Sequence, residues 1–157
     1  MDKNTAKIER FITFKVADHW FALPLGNVLK VVNCPPSDQG GLITLGMVKL
    51  GAHTIQLLDL SKIFGLRADV AAPSKASFLL VLRSTQKTLW GIALETPPDL
   101  LELPLTALQP VSADDRFVSR CPWISHMAVV SAQGGSRTLS RLDLTAVLEK
   151  LTPLRSA

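Results

Sequence analysis

The chain has 157 residues, the length of one ordinary domain or two very small ones. Apolar residues make up 47% and charged residues 19%, so there is ample surface to bury and a disordered chain is excluded. The net charge of +4 is spread evenly and no two Lys or Arg residues are adjacent, which leaves no basic tract to follow a phosphate backbone.

Residues 1–7 are polar and do not read as a secretory signal. Apolar runs such as residues 78–82 fall far short of the roughly 18 residues a membrane span needs. A soluble intracellular domain is expected. Ile12, Phe14 and Val16 alternate with Phe11, Thr13 and Lys15, the period of two that predicts a strand with one buried face. Ala17, Asp18 and His19 interrupt it and residues 20–23 resume it, which predicts a hairpin ending at Pro24. Residues 28–32 form a further apolar stretch closed by Cys34-Pro35-Pro36, and residues 37–41 are loop chemistry.

Strands over 46–50 and 54–58 are predicted around Gly51-Ala52-His53, followed by strands over 78–83 and 89–95. Pro97, Pro98, Pro110 and Pro122 make residues 96–123 mostly connection. Strands over 127–131 and 137–142 follow, separated by Gly134-Gly135. Many short strands with frequent turns predict small barrels.

Residues 58–64 (LDLSKIF) echo residues 142–148 (LDLTAVL), 84 positions later. In each copy a strand runs into an Asp, after which apolar residues recur at helical spacing: Leu60, Ile63 and Phe64, then Leu144, Val147, Leu148 and Leu151. Asp59 and Asp143 are placed as N-caps, where a carboxylate accepts from free backbone N–H groups of the first turn. Gly65 suits a helix stop in the first copy. A strand–cap–helix unit used twice predicts two similar halves.

No convergent catalytic set is visible. There is no phosphate-binding glycine loop, zincin helix, paired Cys-x-x-Cys or nucleophile elbow. His19, His53 and His126 fall at turns or strand ends without a Ser, Cys or carboxylate at suggestive spacing, and read as structural. Cys34 and Cys121 are read as ordinary thiols beside prolines, and Asp114-Asp115 as a solvated turn rather than a cation site. Trp20, Trp90 and Trp123 are assigned to core packing, with partner anchoring as the alternative. The chain is expected to be no enzyme, with no cofactor and no metal.

The order of these segments resembles the CheW-like domain of bacterial chemotaxis coupling proteins. Residues 11–16 and 20–25 are similar to that family's opening hairpin, and residues 28–32 to the segment after it. Residues 46–50, 55–60 and 64–66 are similar to its most recognisable stretch, and residues 91–95 and 142–144 follow in order. The resemblance covers residues 10–151, leaving 1–9 and 152–157 as mobile tails. It implies a mainly β fold of two small five-stranded SH3-like barrels packed together, with short helices including one near the C-terminus. It also implies a cytoplasmic, non-catalytic adaptor between the regulatory domain of a CheA-type histidine kinase and the cytoplasmic tip of a chemoreceptor, reaching the membrane only through that receptor.

In that family Val28 and Val31 fall on the apolar contact surface, and Gly46 and Leu50 on the strand associated with kinase contact. Two departures bear on partners: Leu50-Gly51-Ala52 stands where many members have Leu-Arg-Gly, and Lys30 where many have Glu. Both are expected to act on partner choice, through a lost bidentate donor and a reversed charge. The alternative is a basic small-barrel nucleic-acid-binding protein, told apart by steep salt dependence of binding.

Overall fold

Hairpins form wherever the predicted alternation meets a turn the backbone can make. The computed structural model describes residues 7–34, 47–60, 63, 77–83, 89–111, 123–132 and 134–151. β1 (Ile8–Val16) and β2 (His19–Pro24) pair antiparallel from Val16↔His19 to Phe11↔Pro24. Their two-residue turn holds Ala17 and Asp18 at φ 50° and 67°, the pair of left-handed conformations that follows the strand twist. β4 (Met47–Leu50) and β5 (His53–Leu57) close through Gly51-Ala52, with Gly51 at φ 62°. β6 (Phe78–Leu82) pairs with β7 (Leu89–Leu94), and β10 (Ile124–Ala132) with β11 (Gly135–Leu142).

Two strands outside these hairpins decide the topology. β3 (Val28–Asn33) follows β2 in sequence but pairs with β6, and β8 (Asp99–Pro104) follows β7 but pairs with β1. One sheet runs β8-β1-β2-β11-β10-β9, where β9 is the two-residue Gln109–Pro110, and the other runs β3-β6-β7-β5-β4. The β1–β2 and β6–β7 hairpins thus each send the following strand across to the other sheet. Apart from β9 the two orders are equivalent, with β2/β11 and β5/β7 as matching parallel pairs. The sequence echo lies on this equivalence, because β5 leads to Asp59 as β11 leads to Asp143. The halves are real but interleaved.

The fold is therefore mainly β, two curled SH3-like units, with the helix α1 (Leu144–Leu151) at the C-terminal end. One unit has six strands rather than five. Residues 99–104 and 109–110 are strand where connection was expected, because β8 is recruited by β1 rather than by a local turn signal.

Three apolar clusters hold the fold. The largest lies between the sheets and joins Ile12, Phe14, Phe21 and Leu23 to Leu80, Leu82, Ile92 and Leu94, with Leu144, Val147 and Leu148 of α1 packed in. Phe14 and Phe21 stack there at 5.9 Å between centroids. A second cluster of Phe11, Ala22, Leu103, Ala128 and Leu139 fills the six-stranded unit. A third, of Val48, Ile55, Leu79 and Val81, fills the five-stranded one. Trp90 is buried in the inter-sheet core, and its Nε1 has no hydrogen-bond partner, while Trp20 and Trp123 are half-buried. Gly91 is required by close approach: a Cβ there would stand 2.9 Å from Ile55 Cγ2 and 3.0 Å from Leu79 Cδ1.

Candidate docking surface

β3 is the outer strand of the five-stranded sheet, bonded on one side to β6. Its register with β6 shifts between Val28 and Lys30, so Leu29 is the extra residue of a bulge. The two faces of the strand differ in burial. Val28 is 9% exposed and belongs to the inter-sheet core, whereas Leu29 and Val31 are 44% and 39% exposed. Val28 is thus corrected from contact surface to core, since its side chain packs in the inter-sheet cluster with Leu80 and Leu82. Lys30 is exposed between Leu29 and Val31, and among the described residues no carboxylate pairs with it. Among the described residues this outer strand thus exposes two apolar side chains, Leu29 and Val31, with the cation of Lys30 between them in sequence.

Leu50 and Gly51 lie elsewhere. β4 is at the opposite edge of the same sheet from β3, and the turn beyond it is exposed. Leu50 is half-buried against the cluster that fills this unit, and Val32 of β3 packs on that cluster too. Nothing lies within 4 Å of where a Cβ on Gly51 would point. Space does not require this glycine; its φ of 62° does. The structure therefore separates the expected contact residues into two surfaces, the β3 strip and the β4–β5 turn. Gly46 lies outside the described residues.

The two aspartates sit where strands hand over to helical turns. Asp143 Oδ1 accepts from the Ala146 N–H at 3.1 Å, and its carbonyl accepts from Val147 N–H at 3.1 Å. The Asp59 carbonyl accepts from Ile63 N–H at 3.0 Å, the same first helical bond, and Leu58 N–H donates to the Gly91 carbonyl at 2.8 Å. The side-chain bond of Asp143 satisfies a donor that a helix start leaves open.

Among the described residues the titratable groups are scattered. His19 Nδ1 donates to the Ala17 carbonyl at 3.0 Å, and His126 Nδ1 lies 2.9 Å from Ser125 Oγ, which also accepts from Arg141 Nη1 at 3.2 Å. His53 is exposed beside its turn. Burial pushes the Cys34 thiol above its ordinary pKa, away from the reactive thiolate. Among the described residues no group of three His, Cys, Asp or Glu could hold a metal ion. Asp114, Asp115 and Cys121 lie outside the described residues.

Sequence reasoning missed Leu29, which is exposed on the same outer strand as Val31. It missed the matching exposure on β8 as well, where Leu100 is 58% exposed on the outer strand of the six-stranded sheet. Both strands that cross between sheets end as sheet edges carrying exposed leucine. No local signal marks this, because an edge position is set by pairing rather than by composition.

The architecture is thus two small β units on a shared core, with exposed apolar residues on the outer strands β3 and β8. Residues 10–151 match the model of the CheW-like domain, and the chain belongs to that family. Its structure is similar to the crystal structure of the scaffolding protein TtCheW from Thermoanaerobacter tengcongensis, with a TM-score of 0.63 and 12% sequence identity over 92% of this chain and 90% of that one. No curated protein matches the sequence. Among the described residues no helix is long and apolar enough to cross a membrane.

Proposed function

We propose that this chain is a non-catalytic adaptor that couples a methyl-accepting, chemoreceptor-type sensor to a CheA-type histidine kinase in chemotaxis, phototaxis or related motility signalling. The observation that carries this reading is the CheW-like match across residues 10–151. The physical arrangement supports it. An adaptor needs two surfaces that can be engaged together, and the β3 strip and the β4–β5 turn lie at opposite edges of one sheet on one rigid core. Leu29 and Val31 offer apolar anchors for a helix lying in a groove, and Lys30 selects against a basic partner. Holding both partners in one geometry lets receptor state bias kinase state without chemistry in the adaptor. The adaptor works in the cytoplasm and meets the membrane through its receptor.

Calorimetric titration against the regulatory domain of a CheA-type kinase from the same organism, at low and high salt, tests the reading. Micromolar binding that persists at high salt is expected, because apolar contacts are weakly screened. No binding to either the kinase domain or a receptor-tip peptide would refute it. Steeply salt-dependent binding to nucleic acid would favour the small-barrel alternative.

A further inference from the structure

A second feature lies on the six-stranded unit, away from both surfaces above. β2 and β11 run parallel, with Trp20 beside Leu139 and Arg137 one step along the same face. Arg137 Cζ stands 3.5 Å over the centroid of the Trp20 ring, the separation of two stacked planes. Stacking occupies the face of the guanidinium and leaves its N–H donors, which lie in its plane, pointing past the ring. Among the described residues no acceptor or carboxylate engages those donors.

The pair lines a shallow groove of about 570 Å³, together with Asp18, His19 and neighbouring residues of β10 and β11. Asp18, the carboxylate of that lining, is ion-paired with Lys15 Nζ at 3.6 Å. His19 Nδ1 is committed to the Ala17 carbonyl. The groove thus presents one flat, oriented guanidinium, on strands rather than on a loop. Such a guanidinium loses little freedom when it forms two parallel charge-assisted hydrogen bonds, so it recognises planar pairs of oxygen atoms.

We propose that this groove is an anion-binding site, in which Arg137 held on Trp20 takes a carboxylate or phosphate through two oxygen atoms. The site is independent of the coupling role and stands or falls separately from it. The test follows the tryptophan indole N–H signals of the full chain by NMR, with Trp20→Phe assigning the Trp20 signal. Inorganic phosphate and an end-blocked, glutamate-containing hexapeptide are titrated separately at constant ionic strength, with chloride as control.

A saturable shift of the Trp20 signal is expected, absent with chloride, lost in Arg137→Gln and at least tenfold weaker in Arg137→Lys. Tighter binding of phosphate assigns the site to a free phosphate-type ligand, and tighter binding of the peptide to an acidic side chain of a protein. A shift that chloride reproduces, that never saturates, or that survives in Arg137→Gln overturns the proposal. Unchanged indole signals from Trp90 and Trp123 in each variant show that the loss is local.

Discussion

Replacing Val28 and, separately, Val31 by Asp puts the same charge at two positions of β3 with different surroundings. Val28 is packed in the inter-sheet core with Leu80 and Leu82, and among the described residues no cation is bonded nearby to receive a carboxylate. An unpaired buried charge costs several kcal/mol, and about 4 kcal/mol lowers the Tm of a domain this size by roughly 8–16 °C. Val31 is at an outer strand with 39% of its surface open, so Val31→Asp should change folding stability by no more than about 1 kcal/mol. Its effect on binding is larger. Burying the open two-fifths of a valine contributes roughly 1 kcal/mol, and a carboxylate stripped of water without a partner costs about 1–3 kcal/mol more. The sum of about 2–4 kcal/mol is a loss of roughly 30- to 900-fold in affinity. Circular dichroism melting and calorimetric titration against the kinase domain and receptor-tip peptide measure the two effects. Val31→Asp that binds both partners like the unaltered protein refutes the strip as a docking surface. Val28→Asp that melts normally refutes the core position of Val28.

Gly91→Ala places a methyl group 2.9 Å from Ile55 Cγ2 and 3.0 Å from Leu79 Cδ1, inside the usual carbon contact of about 3.5–4.0 Å. Ile55 and Leu79 are fully buried and have no room to swing, so a destabilisation of about 1–3 kcal/mol is expected in denaturant melts. A change below about 0.5 kcal/mol would show that the packing is looser than described. Asp143→Ala removes the acceptor for the Ala146 N–H and should cost about 1 kcal/mol, while Asp143→Asn should recover most of it. Equal losses in the two variants would point to charge rather than capping.

The hairpins were legible because everything that makes them is local. Val16-Ala17-Asp18-His19 contains both the break in alternation and residues the left-handed turn accepts, and Gly51 supplies the φ of 62° at the β4–β5 turn. α1 was legible for the same reason, since Leu144, Val147 and Leu148 state their buried face at helical spacing. β8 was not, because its prolines read as connection and its partner β1 is nearly ninety positions away, as the Thr13↔Asp99 pairing shows. The site was legible as a segment, residues 28–32, but not as a surface. Alternation alone puts Val28 on one face and Leu29 and Val31 on the other, but which face is buried is set by the pairing of β3 with β6 and by the inter-sheet core that receives Val28.

By itself the sequence determined the mainly β class, the order of the strands, the repeated Leu-Asp-Leu unit and the family to which that order belongs. These follow from period, turn chemistry and spacing, all of which act over a few residues. Tertiary structure alone decided that the two halves exchange a strand, so that β3 and β8 become outer edges of the opposite sheets. It also decided that Arg137 lies on Trp20, 117 positions earlier in the chain, with its donors open. Those placements depend on which distant apolar faces can be buried together, and the inter-sheet core selects the pairing that covers most of them.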